Sequence, residues 1–287
     1  MSGLLLAYDN QVDAATLTGG SWNSSTYARS MLQDYRLSRP ARTLDALATS
    51  TKVRFALAAP AYVGLVGLMH TNASVEAAYR LKLFSDSGFT TVAYDSGQLD
   101  LYPMGTIPYG QIPWGAPNWW TGRPLPAEIA RFQRNIVHAL SIAQYAQYGE
   151  LAITDTANPD SYLQAGRLFV GQAFRPTYGL QAGKAAISLT PRTTIQRARD
   201  GTPYFQEERA DLSVAFSLDA LTDSEAMRAL DLQALADLHG EVYVAWDTSR
   251  PAYAFRRQVF GRLARLNPIE HPSFALRSAA FQVEGLI

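Results

Sequence analysis

The sequence predicts a mainly β protein, an N-terminal β-sandwich followed by a smaller β domain that carries one α-helix. Three observations predict it. Short apolar runs recur between turn clusters from Thr51 to about Val170; a proline- and tryptophan-rich stretch interrupts them; and the clearest helix signature lies late in the chain, between strand-like segments. A length of 287 residues suits two domains, because single cores stop growing near roughly 250–300 residues.

The elements follow in order. Asn10 to Trp22 reads as an opening strand. Val53, Phe55 and Leu57 alternate with Lys52, Arg54 and Ala56, whereas Tyr62 to Met69 is almost wholly apolar, as a strand buried on both faces would be. Tyr79, Leu81 and Leu83 alternate next. Ser85 to Gly88 reads as a turn into Thr90–Tyr94, and Asp95 to Gly97 as another. Between Tyr102 and Pro126 six prolines are interleaved with Tyr109, Trp114, Trp119 and Trp120. Each proline removes a backbone donor and fixes φ, so the stretch is a long loop. Strand pattern resumes at Asn135–Leu140, Glu150–Thr154 and Tyr162–Val170, giving a first domain over 1–171 and a second over 172–287.

In the second domain Leu212, Val214, Phe216 and Leu218 alternate with polar or small residues. Thr222-Asp223-Ser224-Glu225 has capping-box spacing. Met227, Leu230, Ala234 and Leu238 then recur at helical spacing, and Gly240 sits where a left-handed residue ends a helix, which predicts a helix over about 223–239. Strands are expected at Glu241–Trp246, Arg257–Leu263 and Ala280–Leu286.

Composition narrows the function classes. Charged residues are 17% of the chain, below the roughly 25% of an average soluble protein. All positive side chains except Lys52, Lys82 and Lys184 are arginines, the cation best suited to desolvated contacts. That bias fits covered surface, and it equally fits a GC-rich genome. Net charge is zero with no block of one sign, so nucleic acid is not an expected partner. With no cysteine there is no disulfide framework and no thiolate chemistry. Met1 to Tyr8 lacks a basic region and no stretch reaches about 18 apolar residues, so neither a signal peptide nor a membrane span is expected.

No His-Glu-x-x-His, phosphate loop, dinucleotide fingerprint or Gly-x-Ser-x-Gly elbow is present. The chain therefore reads as non-enzymatic, with no cofactor and no catalytic residue. Asp155, Asn158 and Asp160 place three oxygen ligands on one loop, suited either to Ca²⁺ or to an Asx-type turn that caps its own backbone. The candidate interaction residues are Tyr109, Trp114, Trp119, Trp120 and Arg123. Their aromatic rings suit anchoring a protein interface, sealing one end of the sandwich, or stacking on a sugar.

The residues carry a resemblance. Tyr8-Asp9-Asn10, Asp34 to Arg39, Val63 to Ser74, Tyr79 to Lys82, Tyr94 to Gly97 and Tyr162 to Gly171 resemble, in order and spacing, the galactose-binding-like (discoidin-type) jelly roll of phage tail proteins. Asn118 to Pro124 is also similar to such proteins. The strand, helix and Gly240-Glu241 turn, with the ending Gly261 to Glu284, more loosely resemble the ring-forming β domain of phage distal-tail and tail-tube proteins. The resemblance implies a structural subunit of a phage tail tip or baseplate, present in the virion and in host cytoplasm during assembly. It would form a trimer or hexamer and join other tail proteins. The alternative is a carbohydrate- or host-receptor-binding module of the tail, with a glycan as partner.

Overall fold

The computed structural model describes residues 3–180, 184–248, 250, 252–272 and 276–286. Its strands are β1 (Leu5–Tyr8), β2 (Thr16–Thr18), β3 (Ala41–Arg42), β4 (Lys52–Met69), β5 (Ala78–Phe84), β6 (Val92–Asp95) and β7 (Leu99–Asp100). A one-turn helix α1 (Pro126–Ile129) precedes β8 (Ile136–Thr154), β9 (Gln164–Ala165), β10 (Arg167–Phe174), β11 (Ala185–Thr190), β12 (Thr194–Arg197) and β13 (Pro203–Gln206). The chain closes with β14 (Asp211–Leu221), the helix α2 (Asp223–Ala236), β15 (Glu241–Ala245), β16 (Gln258–Leu263), β17 (Ile269–Glu270) and β18 (Arg277–Gly285). The protein is mainly β, as its alternating pattern predicts.

Two long strands build the sandwich. The runs expected as separate strands at 53–57 and 62–69 form one, β4, and those at 135–140 and 150–154 form β8. They pair antiparallel, with register breaks between Ala56 and Ala61 and between Val63 and Leu65. Pro60, which has no ladder donor to give, sits in the first break. Before it, β4 pairs with β2 and with the end of β8, which pairs with β5 and then β6. Beyond the breaks, β4 pairs with β10 and with the start of β8. Both arms point their apolar faces inward, so Val53, Phe55, Leu81 and Leu151 share one buried core with Val66, Leu68, Ile136 and Leu168. At the bend the strand pair protrudes, and Tyr62 and Tyr145 stand opposite each other, exposed, with ring centroids 5.1 Å apart.

The second half continues the same sheet. β1 pairs with β10 on one side and β15 on the other, and the strand order runs β11-β14-β18-β16-β15-β1-β10-β4-β8-β5-β6. The boundary drawn between residues 171 and 172 falls inside β10, and β1, counted with the first domain, is the strand that joins the second. The helix α2 lies on one face, where Ala226, Ala229, Leu232 and Ala236 pack with Leu4, Leu6, Val214, Phe216, Val244 and Phe281. Alanines on that face bring the helix close to the sheet, and each Leu or Phe buried there contributes about 1.5–3 kcal/mol. The capping box is present, with Thr222 Oγ1 accepting from Glu225 N and Glu225 Oε2 accepting from Thr222 N.

Two features of the helix differ from expectation. It ends at Ala236, not near His239, and the positive φ falls at Asp237 (φ 45°, ψ −147°), not in a left-handed Gly240. The predicted stripe Met227, Leu230, Ala234 and Leu238 faces solvent, its three large residues at 44%, 48% and 47% exposure, because the alanine face of Ala226, Ala229 and Ala236 gives the tighter helix–sheet contact. Beyond it, β11 forms the sheet edge with all six residues exposed, followed by the exposed hairpin β12–β13. Neither was expected from the sequence, because no buried face sets their pattern.

Arg167 on β10 is almost fully buried and bridges the halves. Its Nε donates to Glu241 Oε1 at 2.7 Å and its Nη2 lies 2.6 Å from Asp13 Oδ1. Removing one partner of a buried pair leaves the other charge desolvated, at a cost of about 3–5 kcal/mol, whereas apolar replacement of both is tolerated. Arg167→Met is expected to lower unfolding free energy in urea by about 3–5 kcal/mol, and Arg167→Met with Glu241→Leu to recover most of it. An unchanged single variant would show that the pair does not join the halves.

Candidate binding surface

The loop between β7 and α1 is held by a small core of its own. Tyr102, Ile107, Ile112 and Ile129 bury against Phe255 from the segment between β15 and β16, with Trp119, Phe132 and Tyr253 partly buried around them. The Tyr253 N–H donates to Thr106 O at 2.8 Å and the Tyr253 hydroxyl donates to Gln111 Oε1. The loop's two ends meet where Gly105 N–H donates to Thr121 O and Ile107 N–H to Gly122 O, at 3.2 and 2.7 Å. Gly122 is left-handed (φ 61°), and a Cβ there would come within 2.9 Å of Gly105 N, so only glycine closes this neck.

The five candidate residues take different positions on this frame. Trp119 folds back, half-buried, and presents an edge to Trp114 with ring centroids 4.9 Å apart. Arg123 is turned to the inside, its Nη2 donating to Asp100 Oδ2 at 2.6 Å and its backbone oxygen accepting from Asn118 Nδ2 at 2.7 Å. Tyr109 is exposed, with its hydroxyl 3.4 Å from Trp120 O. Trp114 and Trp120 stand in solvent at 82% and 81% exposure. One tryptophan thus seals the loop and two are presented by it. Sequence reasoning missed Tyr253 and Phe255, which fix the loop. They lie more than a hundred residues downstream, and no local pattern links them to it.

The Asp155 carboxylate is fully engaged. Ser74 Oγ and N–H donate to its two oxygens at 2.5 and 2.9 Å, and Asn158 Nδ2 donates at 2.8 Å. Asn158 Oδ1 accepts from Asp160 N–H, and Asp160 accepts from Asn72 Nδ2. These three side chains cap a turn and tie it to the segment after β4, as the Asx-turn reading expects. Among the described residues no three His, Cys, Asp or Glu side chains group as a metal set.

Burial shapes the titration of the junction. His70, left-handed at φ 54° and edge-on to Phe260, is held at about 4 by burial first and by Arg209 second. Burial likewise lowers His138, whose Nε2 lies 2.8 Å from the Tyr94 hydroxyl, and raises Tyr102 to about 12.

No protein-family model matches the chain, and no curated protein matches it. Solved structures do. The family 32 carbohydrate-binding module from C. perfringens NanJ, in complex with galactose, is 11% identical over 58% of this chain and 99% of its own, with a TM-score of 0.37. A fucolectin from striped bass (Morone saxatilis) serum is 12% identical over 74% and 71%, with a TM-score of 0.35. Truncated AlyQ, with CBM32 and alginate lyase domains, is 10% identical over 97% and 77%, with a TM-score of 0.36.

The His70 shift has a defined sign. Folding favours the neutral ring, so its contribution is complete above the unfolded value near 6.5 and is lost as pH falls toward about 4. Over that window the chain is expected to lose up to about 3 kcal/mol of stability through this residue. His70→Asn, which keeps a residue tolerant of the left-handed region, should flatten the profile, leaving the slopes that other shifted groups, His138 and Glu241 among them, supply. Thermal melts of both proteins from pH 7 to 4 check this; parallel profiles would contradict it.

Proposed function

We propose that the chain is a non-catalytic recognition subunit of a bacteriophage tail tip or baseplate that holds a host-surface carbohydrate against Trp114 and Trp120. The observation that carries the reading is the exposure of these two indoles on a braced loop. An aromatic side chain buries 150–250 Å² when covered, so at about 25 cal/mol per Å² each ring leaves roughly 4 kcal/mol of burial unrealised in the free protein. A sugar presents an apolar ring face edged by hydroxyls, and a flat exposed indole matches it. The neck at Gly122, the edge contact from Trp119 and the Phe255 core hold the platform in place beforehand, which lowers the ordering cost of binding. The resemblance of 1–171 to tail-protein jelly rolls sets the context.

A second reading, a ring-forming subunit, is favoured by β11. A sheet edge whose residues are all exposed, including Ile187 and Leu189, offers unpaired backbone groups to a neighbouring chain, and the exposed α2 stripe lies in the same half. Light scattering of the full chain distinguishes it: a concentration-independent trimer or hexamer supports the ring, and a persistent monomer removes it.

The platform itself is tested by titrating bacterial surface polysaccharides against the full chain and against Trp114→Ala with Trp120→Ala. The expected result is saturable binding that weakens at least ten-fold in the double variant, about 1.4 kcal/mol or more, with an unchanged melting temperature, since both rings are exposed. Absence of binding by the native chain, or equal binding by the variant, would overturn the reading.

A further inference from the structure

A cavity of about 220 Å³ lies where the two halves meet, against the sheet face opposite α2. Its walls come from strands far apart in sequence: Tyr79 of β5, Tyr102 at the start of the loop, Asn135 just before β8, Tyr243 of β15, and Phe255 and Gln258 around the start of β16. Neither Trp114 nor Trp120 lines it. It is smaller than the roughly 300–1,000 Å³ pockets that take drug-sized ligands, with room for about seven waters at roughly 30 Å³ each. One ring compound fits that space better than a chain of them.

The polar groups of the lining are incompletely satisfied. Asn135 is 3% exposed; its Oδ1 accepts from the His70 N–H at 3.0 Å, and among the described residues its Nδ2 has no hydrogen-bond partner. A buried amide donor left without a partner is uncommon in native proteins and marks a place where a ligand or ordered water completes the structure. Tyr102, at 4% exposure, makes no hydrogen bond through its hydroxyl to any described residue. The Tyr243 hydroxyl donates to Gln258 Oε1 at 2.6 Å, which orients that amide, and among the described residues none accepts from its Nε2. The Tyr79 hydroxyl donates to Val137 O at 3.3 Å and keeps its acceptor capacity.

Charge is balanced within the lining, because the Arg257 Nη1 donates to Asp247 Oδ2 at 2.6 Å. The site thus offers neutral donors and acceptors set between aromatic faces, with no unpaired cation to draw a phosphate or carboxylate. We infer that this junction cavity is a second binding site, for one neutral hydroxylated ring of the size of a single hexose, hydrogen-bonded by Asn135, Tyr102 and Gln258. Such a ligand supplies an acceptor to Asn135 Nδ2, hydroxyls to Tyr102 and Gln258, and apolar ring faces to the tyrosines. The site is independent of the tryptophan platform, and either can exist without the other.

The test is a titration of the full chain with glucose, galactose and N-acetylglucosamine, followed by ¹H–¹⁵N spectra that include the side-chain amides. At least one of the three is expected to shift the Asn135 side-chain signal saturably in the millimolar range. Tyr102→Phe, which removes a hydroxyl without a protein partner, should weaken binding at least ten-fold at unchanged melting temperature. Asn135→Asp, which keeps the acceptor for His70 N–H, gives an independent second loss, and Trp114→Ala with Trp120→Ala should bind as the native chain does. No saturable shift with any of the three sugars up to about 100 mM, a range far weaker than a specific site requires, would overturn the proposal. So would binding that survives both Tyr102→Phe and Asn135→Asp. Binding lost only in the tryptophan variant would also overturn it, while leaving the platform standing.

Discussion

The strand Leu5–Tyr8 is the constraint on which the rest of the structure depends. Its neighbours are β10 of the sandwich and β15 of the second half, so this four-residue strand is what carries one sheet across both halves. Successive side chains leave a strand on opposite faces, and both faces here are filled. Leu6 and Tyr8, with Leu4 before them, pack beneath α2, while Leu5 and Ala7 pack with Leu65, Phe169, Tyr243 and Phe260. A sheet that must bury both faces at its centre cannot shift register without exposing one set or the other. The buried Arg167–Glu241 pair repeats the constraint in polar form one strand away.

That weld is what allows the loop to be rigid although it has almost no regular structure. Five prolines keep it out of any ladder, and its order comes from the docking of Tyr102, Ile107 and Ile112 on Phe255, a residue delivered by the second half. The junction cavity has the same origin. The strands that enclose it are fixed by the continuous sheet, and the two long strands β4 and β8 carry that order into the sandwich. Exposed features lie where this scaffold gives out: the bend at Tyr62 and Tyr145, the edge strand β11, and the two tryptophans.

Local pattern made much of the fold legible. The alternations at 53–57, 79–84 and 212–218 and the Thr222 capping box each sit in the predicted element, because burial on one face dictates the residue types. Continuity was not legible: the runs at 53–57 and 62–69 read as two strands, and only the structure shows one strand, β4, passing through Pro60. The run from Leu4 to Tyr8 has the uniform apolar character of a strand buried on both faces, a signal present in the sequence but too short to separate from an ordinary chain start. Helix orientation was misjudged because Leu and Met carry more hydrophobic weight than Ala, whereas close packing on a sheet favours the small residue. At the surface, sequence pointed to the tryptophan loop but not to the division within it, since which indole is buried depends on Phe255 and Tyr253. The cavity left no local trace at all.

The central claim, that Trp114 and Trp120 form the recognition surface, is tested most directly by acrylamide quenching of tryptophan emission with and without a bound surface polysaccharide. Trp22 is buried and Trp119 and Trp246 are partly so, leaving these two indoles to dominate the quenchable emission of the free chain. Bound carbohydrate should shift that emission to shorter wavelength and remove most of the quenching. Saturable binding with emission and quenching unchanged would place the carbohydrate elsewhere and contradict the account.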